Sequence, residues 1–411
     1  MTDTPEVTGN AIRTSVEKAV NAFREGRMVV VVDDERRENE GDLVIAAEKI
    51  TADSINFMTV YGRGGITVPV AGERLDELNL PLQYAATRDW IRPAMTLTVD
   101  LARGITTGAS SQDRAATIRG LADPSLKASD FVRPGHVQPL RARKGGVLRR
   151  TGHTEAAVDL ARLAGLFPAA AICECLLEDG SMARLPQLEE LAKTHGLPIV
   201  TVEDLVAHRR RTEKLVRRVA RAHLPTTRGD FEMICYETDA DTGPYIALVK
   251  GSVDTEEPVL VRMHSGCITG DVFGSLRCDC GVQLGMAMEQ VEAEGRGVIV
   301  YVPSQEGRGI GFAPKAQAYH LQDMGADTVE ANEMLGYPAD LREYGLGVQV
   351  LLDLGVRRMR LLTNNPKKLV ALQGYGLEVV EQVLIQAPPT KQNENYLRTK
   401  RDKLGHRLEL S

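Results

Sequence analysis

Three cysteines in a short glycine-rich segment have the spacing of a metal site. Cys267, Cys278 and Cys280 fall within fourteen residues of a chain that has six cysteines in all. Three thiolates can fill three corners of a tetrahedral Zn²⁺ site, and water in the fourth corner makes such a site catalytic. Zinc would lower the pKa of that water towards ~7. His264 is the only local candidate for a fourth protein ligand, so the segment predicts a zinc site.

An acidic run in the first half has the composition of a site for a hard cation. Glu38, Glu40 and Asp42 occupy alternate positions shortly after an apolar strand. Alternate residues of an extended segment point to the same side. The three carboxylates could therefore share one pocket with a cation such as Mg²⁺. A solvated acidic loop is the alternative.

Two histidines lie in turns where they could act on a sugar phosphate. His153 stands between Gly152 and Thr154 at the start of a predicted helix, and His136 follows a Pro-Gly turn. The N-terminus of a helix binds phosphate well, and Arg150 is close by in the sequence. Histidines at such positions are more often structural, and the residues alone leave that alternative open.

Three further segments carry groups suited to a nucleotide. Residues 306–311 form a glycine-rich turn that contains Arg308, and residues 363–368 form a second turn that favours anions. Backbone amides and a guanidinium can take phosphate or the edge of a purine. Asp340 and Arg342 are two residues apart and could face one site. Ordinary turns and an exposed ion pair are the alternatives.

Alternating strands and helices would position the groups of the first half. An apolar strand at 28–32 leads towards the acidic run, a helix is predicted at 154–164, and a strand at 169–176 contains Glu174. Successive side chains of a strand point to opposite faces, so Cys173 and Cys175 face away from Glu174. We expect these two cysteines to pack in the core.

Strands also precede the segments of interest in the second half. They are predicted at 258–263, 297–302 and 359–363, just before the cysteine segment and two of the turns. Together the two halves predict an α/β (α+β) fold with two mixed domains. Residues 208–223, which carry seven basic side chains and one acid, are expected to form a basic linker helix between domains at 1–207 and 224–411. A basic patch for a nucleic acid or a phosphorylated ligand is the alternative for this segment.

Composition narrows the class of protein. Hydrophobic residues make up 43% and charged residues 26% of the chain, as in ordinary globular proteins. The net charge of −6 argues against broad nucleic-acid binding. No apolar run approaches the ~18–20 residues that span a bilayer, and the polar first ten residues do not resemble an export leader. Six cysteines are too few for a disulfide scaffold, so we expect a cytoplasmic enzyme.

Long runs of the second half resemble GTP cyclohydrolase II, from about residue 264 to residue 406. The matching runs are 269–271, 275–281, 305–311, 321–323, 327–332, 361–368 and 396–400. The resemblance implies that the three cysteines hold zinc and that the imidazole ring of GTP is opened, with release of formate and pyrophosphate. It also implies that Arg342 is the nucleophile at the α-phosphate, Asp340 the proton acceptor and Tyr319 an active-site residue. The implied nucleotide contacts are Arg262, Met263, His264, Ser265, Gly266, Gln283, Glu306, Gly307, Arg308, Thr328, Thr363 and Lys368.

The first half, from about residue 14 to residue 209, resembles 3,4-dihydroxy-2-butanone 4-phosphate synthase. The matching runs are 33–35, 37–42, 56–58, 106–108, 113–114, 133–137, 152–156 and 182–184. The resemblance implies conversion of ribulose 5-phosphate to a four-carbon ketone phosphate plus formate, with Mg²⁺ or Mn²⁺ held by Glu38 and His153. It implies that His136 and Glu174 are essential for proton transfer. The implied sugar-phosphate contacts are Arg37, Glu38, Asp42, Arg150, Thr151, Gly152, His153 and Thr154.

Several positions depart from these family patterns. Gly266 stands where GTP cyclohydrolase II usually has a glutamate near the zinc, and Ser304, next to an apparent one-residue insertion at Pro303, replaces an arginine. Pro314 and Gln317 replace an asparagine and an arginine of the following helix, and the segment around Trp90 replaces a usual run of the first domain. Charged hydrogen bonds contribute roughly 1.5–3 kcal/mol each, so an altered substrate preference or a reduced rate in the second half is an alternative to the full activity.

The combined prediction is a bifunctional enzyme that makes both precursors of riboflavin. The pyrimidine product of GTP would be 2,5-diamino-6-ribosylamino-4(3H)-pyrimidinone 5′-phosphate. The expected partners are the two small-molecule substrates, with no nucleic acid and no membrane, and the resemblance implies a homodimer. The alternatives are a paralogue with one active domain or an altered substrate in the second half, and a non-catalytic nucleotide-binding protein.

Overall fold

The chain folds into two compact units that divide between Arg209 and Arg210. The computed structural model describes residues 15–34, 37–84, 93–338, 340, 342, 344–365 and 377–408, so Trp90 and Lys368 lie outside the described residues. Both units contain a sheet and helices, which confirms the predicted α/β fold with two domains. Within the described ranges, no helix has the length and apolar character that crossing a membrane requires.

The first unit is built on a mixed sheet. Its described strands are β1 Val29–Val32, β2 Gly41–Ala46, β3 Thr67–Ala71, β4 Ala94–Met95, β5 Val99–Leu101, β6 Phe131–Ala142, β7 Ala170–Glu174 and β8 Ile199–Thr201. The order is β4-β6-β3-β7-β2-β1-β8, and β5 pairs with β6. Its described helices are α1 Val16–Arg24, α2 Ala52–Phe57, α3 Gly72–Glu77, α4 Ser111–Leu121, α5 His153–Leu163, α6 Leu185–His195 and α7 Val202–Thr212.

Both faces of this sheet are covered by apolar side chains. The four valines of β1 are all buried, and they alternate between two hydrophobic clusters, with Val30 and Val32 in one and Val29 and Val31 in the other. This is the pattern expected of a strand covered on both sides. Helix α5 packs on the second face through residues such as Leu160, which brings its N-terminus towards the end of the sheet.

The second unit contains a seven-stranded sheet within the described residues. Its strands are β9 Arg217–Thr226, β10 Gly229–Glu237, β11 Tyr245–Lys250, β12 Val259–Ser265, β13 Gly297–Val302, β14 Arg358–Leu362 and β15 Glu378–Val383, in the order β15-β14-β12-β13-β11-β10-β9. Strands β13, β12 and β14 are parallel neighbours. Their carboxyl ends therefore meet at one edge of the sheet, where ligands of α/β proteins usually bind.

Helices cover both faces of this second sheet as well. The described helices are α8 Ile268–Asp271, α9 Cys280–Glu294, α10 Phe312–Asp323, α11 Thr328–Met334, α12 Gly345–Asp353 and α13 Glu394–Asp402. Val298 and Val300 of β13 pack with α12, whereas Ile299 packs with α9 on the other face. The alternation again reflects a strand buried on both sides.

The prediction of a basic linker helix at 208–223 is wrong. Helix α7 already begins at Val202 and ends at Thr212, and β9 starts at Arg217. Strand β9 pairs in antiparallel fashion with β10, and its arginines find acids there and on α12, as in the pairs Arg217–Glu237 and Arg218–Asp353. These arginines are thus paired with acids on neighbouring elements, which local sequence could not show.

Candidate active sites

Three side chains of the first unit converge on a group that could hold a cation. Asp33 follows β1, Glu38 lies in the next turn, and His153 begins α5. One ligand atom from each of the three lies within 4.8 Å of the others. Two carboxylates and an imidazole whose Nε2 is buried without a hydrogen-bond partner suit a divalent cation with mixed oxygen and nitrogen ligands.

The prediction that Glu38, Glu40 and Asp42 share one extended face is wrong. Residues 37–40 form a turn in which Asn39 has φ 53°, so the alternation of an extended strand does not apply. The backbone N–H of Glu40 donates to Asp33 Oδ1 at 2.8 Å. Asp33, which is buried, takes the place in the ligand group that the sequence pattern assigns to Glu40 and Asp42.

Asp42 and Glu174 form a buried pair of carboxyls beside this group. They lie opposite each other in the antiparallel pairing of β2 with β7, on the face that carries α5. Burial is the largest cause that raises the pKa of Asp42, the charges of Glu174 and Glu40 also raise it, and that of His153 lowers it; together they bring it to about 7. Glu174 Oε2 is buried without a hydrogen-bond partner. A carboxyl with a pKa of about 7, next to a second carboxyl that has an oxygen without a hydrogen-bond partner, suits proton transfer at pH 7.

An anion site lies at the N-terminus of α5. Gly152 is the N-cap and offers no side chain, so the first N–H groups of the helix stay open. A Cβ on Gly152 would overlap the guanidinium of Arg150 and lie 3.1 Å from Nη2 of Arg37. Thr154 is buried in the first turn, whereas Thr151 is exposed. Two guanidinium groups at a helix N-terminus suit a phosphate.

His136 is held by a buried carboxylate. It lies on β6, and its Nδ1 is 2.6 Å from Oδ2 of Asp100, while its backbone N–H donates to Oδ1 of the same residue at 3.0 Å. The imidazole is 48% exposed and the Asp100 side chain only 7%. Asp100 therefore orients the ring and leaves Nε2 for solvent or a ligand, an arrangement in which imidazole acts well as a base.

Cys173 and Cys175 pack in the core, as predicted. Both are at most 1% exposed and belong to the hydrophobic cluster on the face opposite Glu174. Burial raises the pKa of each thiol to about 12. They therefore stay protonated and inert.

The three cysteines of the second unit come together at the carboxyl end of β12. Their sulfurs lie within 4.8 Å of one another, with 3.7 Å between Cys267 Sγ and Cys278 Sγ. Gly270 of α8 packs against them, and a Cβ there would lie 2.8 Å from Cys278 Sγ. Three clustered thiols of this kind fit a zinc ion with one open position.

Lys315 of α10 joins this cluster to an acid. Its Nζ donates to Cys267 Sγ at 3.1 Å, to Thr269 Oγ1 at 2.7 Å and to Glu306 Oε1 at 2.6 Å. Hydrogen bonds from Cys278 and Cys280 lower the pKa of Cys267, and the charge of Lys315 lowers it further. The cluster is thus prepared to carry negative charge on Cys267.

A cleft opens beside the three cysteines. Most of the predicted nucleotide contacts line it, together with cations from several elements. The predicted residues in its wall are Arg262, His264, Ser265, Gly266, Gln283, Gly307, Arg308, Thr328, Thr363, Tyr319 and Arg342. A cleft lined by convergent polar and cationic groups suits a nucleotide.

The glycine-rich turn places Arg308 in the cleft. Gly307 and Arg308 both have positive φ, at 61° and 65°, and the left-handed conformation is unusual for arginine. Nη1 and Nη2 of Arg308 are buried and have no hydrogen-bond partner. A strained backbone and an unsatisfied guanidinium at the same residue indicate a site for an anion.

Arg342 lines the cleft and forms an ion pair with Asp340. Arg342 Nε donates to Asp340 Oδ1 at 2.8 Å and Nη2 to Oδ2 at 2.5 Å. Burial alone would raise the pKa of Asp340, but the hydrogen bonds from Arg342 lower it below its usual value. Burial lowers the pKa of Arg342, but the hydrogen bonds from Asp340 outweigh it and raise the value. Both groups are therefore charged in this arrangement.

Three of the expected nucleotide contacts have partners within the protein. His264 directs Nε2 to Asp271 at 3.2 Å and stacks on Tyr301, so it is outside the group formed by the three cysteines. Met263 packs in the hydrophobic core. Glu306 accepts from Lys315 and from the backbone N–H of Ile268 at 2.6 Å.

Two of the departures from the family pattern are neighbours in space. A Cβ on Gly266 would lie 2.9 Å from Pro303 Cα and 3.1 Å from the carbonyl oxygen of Val302. The apparent insertion at Pro303 thus occupies the room that a side chain at 266 would need. Ser304 donates to Asp241 at 2.6 Å, and Gln317 is exposed outside the cleft wall.

Sequence reasoning did not assign roles to Asp33, Asp100 or Lys315. Lys315 could have been found from its spacing, because it lies four positions before Tyr319 and so shares a helix face with that predicted residue. Both residues line the cleft. Asp33 directly follows a buried strand, a common place for a ligand. Asp100 had no local signal, since its contact with His136 spans 36 positions.

Comparisons with known proteins identify the family of each half of the chain. Residues 17–208 match the family of 3,4-dihydroxy-2-butanone 4-phosphate synthase, and residues 217–384 match the family of GTP cyclohydrolase II. A crystal structure of RibBX, a two-domain 3,4-dihydroxy-2-butanone 4-phosphate synthase from A. baumannii, is similar with a TM-score of 0.68 at 37% identity. That likeness covers 91% of this chain and all of the other.

Curated relatives extend the match over nearly the whole chain. Riboflavin biosynthesis protein RibBA of Aquifex aeolicus is 55% identical over 394 residues, which cover 95% of this chain and 97% of that protein. The protein of the same name from Chlorobium phaeovibrioides is 54% identical over 398 residues and covers 97% of each. The chain therefore belongs to the RibBA family of riboflavin biosynthesis proteins, with a 3,4-dihydroxy-2-butanone 4-phosphate synthase domain followed by a GTP cyclohydrolase II domain.

Proposed function

We propose that the two units catalyse separate reactions that supply both halves of riboflavin. The first converts ribulose 5-phosphate to 3,4-dihydroxy-2-butanone 4-phosphate and formate. The second converts GTP to 2,5-diamino-6-ribosylamino-4(3H)-pyrimidinone 5′-phosphate, formate and pyrophosphate. One observation carries the proposal: the chain contains both a group of two acids and a histidine and a group of three cysteines. RibBA proteins match this chain along nearly its whole length.

In the first unit, Glu38 and His153 would hold Mg²⁺ or Mn²⁺, with Asp33 as a third ligand. When bound, the ion would stabilise negative charge on the oxygens of the sugar during enolisation. Arg37, Arg150 and the open N-terminus of α5 would bind the phosphate of the substrate and so fix the position of its carbon chain.

Proton transfer in this unit would fall to Glu174, Asp42 and His136. Asp42 has a pKa of about 7 and can give or accept a proton near neutral pH. Glu174 keeps an unused buried oxygen, and His136 is oriented by Asp100. Three groups that can carry a proton suit a reaction that moves protons on several carbons.

In the second unit, Cys267, Cys278 and Cys280 would hold Zn²⁺. When bound, the ion would supply a Lewis acid that activates water for attack on the imidazole ring of the guanine base. The hydroxyl of Tyr319 shares a hydrogen bond with that of Thr269 at 3.1 Å, and Lys315 Nζ lies 5.4 Å from the centre of the Tyr319 ring. These residues would fix the base beside the three cysteines.

Cations on the other wall of the cleft would bind the phosphates. Arg308 offers two unpaired Nη atoms, and Arg342 is paired with Asp340. The family resemblance supports Arg342 as the nucleophile at the α-phosphate, with Asp340 accepting its proton. The direct contact between Asp340 and Arg342 supports the assignment of these two roles to neighbouring groups. We also expect a homodimer, on the same resemblance, and a cytoplasmic location, on composition.

Parallel measurement of formate from GTP and from ribulose 5-phosphate tests the proposal. The full chain is loaded with Mg²⁺ and Zn²⁺, and metal content is measured on the same sample. Formate from both substrates supports two working sites. Formate from one substrate indicates a single active domain, and GTP binding without formate indicates a regulatory protein; either result contradicts the proposal.

A further inference from the structure

The C-terminal helix reaches the cysteine segment through one buried ion pair. Lys400 lies on α13, and its Nζ is 2.5 Å from Oδ1 of Asp279. The lysine side chain is 10% exposed and the aspartate side chain 1%. Asp279 is the residue between Cys278 and Cys280. A partner 121 positions away in the chain therefore holds the centre of the Cys-Asp-Cys run.

The second oxygen of Asp279 is also used. Gln283 Nε2 donates to Asp279 Oδ2 at 2.7 Å, and Arg262 Nη2 donates to Gln283 Oε1 at 2.7 Å. Arg262 is anchored in turn by the carbonyl of Leu362 at 2.8 Å. Because both oxygens have partners, the Asp279 side chain has one orientation, and Lys400 supplies the charge that balances it.

The helix that carries Lys400 is itself fixed to the unit. Leu397 is 1% exposed. The N–H of His406 donates to the carbonyl of Lys400 at 3.0 Å, and the N–H of Arg407 donates to the carbonyl of Asn364 at 2.9 Å, next to the end of β14. Lys400 is thus presented to Asp279 from a docked segment.

We propose that Lys400 is a positioning residue for the metal site. By pairing with Asp279 it fixes the backbone that joins Cys278 to Cys280, and so fixes the directions of two thiolates. The inference rests on the proposed function, in which the three cysteines hold zinc. Partners outside the direct ligands usually change metal affinity by about 10–100-fold. We expect a loss in this range without the lysine charge.

Zinc affinity of the full chain, without nucleotide, tests this role. The metal-free protein competes for zinc with a chromophoric chelator, as wild type, Lys400→Met and Lys400→Arg. Lys403→Met is the matched control, because Lys403 follows the same helix but pairs with Glu330 and is 44% exposed. We expect at least tenfold weaker binding for Lys400→Met, near wild-type binding for Lys400→Arg, and no change for Lys403→Met.

A double variant shows whether Lys400 acts through Asp279. In an Asp279→Asn background, Lys400→Met is expected to cost less than threefold, since the acid that it positions is already gone. Thermal unfolding monitors the fold; if Lys400→Met does not fold, Asp279→Asn alone must weaken zinc binding at least severalfold.

The possible failures are distinguishable. Wild-type affinity in Lys400→Met overturns the positioning role while the zinc site stands. Equal losses in Lys400→Met and Lys403→Met also overturn it, because they indicate a general effect of charge. A wild-type chain that binds no zinc overturns the proposed function of the site, and this inference with it.

Discussion

Buried polar atoms without protein partners mark both sites at the scale of single residues. In the first unit they include Glu174 Oε2 and His153 Nε2, and in the second Nη1 and Nη2 of Arg308. An unsatisfied buried group of this kind costs about 1–3 kcal/mol. A ligand that supplies the missing partner recovers that energy. The same atoms therefore destabilise the free protein and favour ligand binding.

His136 depends on Asp100 for its orientation and tautomer. Asp100→Asn is expected to lower kcat for the reaction of ribulose 5-phosphate by about 10²–10⁴-fold, in line with the loss of a carboxylate that orients a catalytic imidazole. The KM should change much less. Steady-state kinetics over pH 6–9 provides the measurement, and Asp179→Asn on the surface is the control. Unchanged kcat in Asp100→Asn would show that the contact is only structural.

Asp42 should make the stability of the first unit depend on pH. Its pKa rises from 3.8 in the unfolded chain to about 7 in the fold, so folding favours the protonated carboxyl. The stability that this proton contributes is complete below about pH 4 and is lost as pH rises towards 7. Asp42→Asn removes the titration while Glu174, Glu40, Asp33 and His153 remain.

Thermal unfolding in EDTA from pH 4.5 to 8 measures this effect. The variant should gain stability relative to wild type as pH rises through this window and hold that gain above pH 7. A difference in Tm that stays constant with pH would contradict the assigned pKa.

Arg308 should contribute to nucleotide binding through its unpaired guanidinium. Arg308→Ala removes one or two charged hydrogen bonds of about 1.5–3 kcal/mol each, so the KM for GTP should rise by tenfold or more. Initial rates of formate release across GTP concentrations check this. Arg296→Ala, on the surface beside Glu257, is the control, and an unchanged KM in Arg308→Ala would remove Arg308 from the binding site.

At the scale of elements, the carboxyl ends of strands build the second site and constrain its sequence. Cys267 follows β12, the turn with Arg308 follows β13, and Thr363 follows β14. Because parallel strands end at one edge, three segments far apart in sequence meet there. The same crowding leaves little room beside Pro303 for a side chain at position 266.

Gly266→Ala should destabilise the second unit. The added Cβ would lie 2.9 Å from Pro303 Cα, closer than ordinary contact, and overpacking of this kind costs about 1–3 kcal/mol. Denaturant unfolding of the full chain, followed by circular dichroism, measures the loss. A variant as stable as wild type would show that the backbone at Pro303 can shift to accommodate the added carbon without loss of stability.

At the scale of the whole molecule, each unit contains its own core and its own site. The division falls between Arg209 and Arg210, and the four main hydrophobic clusters of the described residues each lie within one unit. Each candidate site is likewise built from residues of one unit. The two chemistries should therefore respond separately to substitution.

Cys278→Ser should abolish formate release from GTP and leave the reaction of ribulose 5-phosphate within twofold of wild type. Loss of one of three thiolates removes the zinc that the second reaction needs. Parallel formate assays and zinc analysis of the variant provide the test. A fall in both reactions would show that the sites are coupled.

Local sequence was enough for features that depend on neighbouring residues. The valine-rich strand β1, the helix that starts at His153, the cysteine cluster and the packing of Cys173 and Cys175 all follow from spacing and side-chain type. Local reasoning failed for the acidic run, because Asn39 turns the backbone, and for the segment at 208–223, whose arginines pair with acids on other elements.

The sequence by itself determined which chemistry the chain can carry, since thiols, acids and guanidinium groups at close spacing are properties of local segments. Only the tertiary structure decided which distant groups complete each site. Lys315 meets Cys267 across 48 positions, Asp33 meets His153, and Lys400 meets Asp279. The physical reason is that burial and charge pairing act through space, so the partners of a buried charge are chosen by the packing of strands and helices.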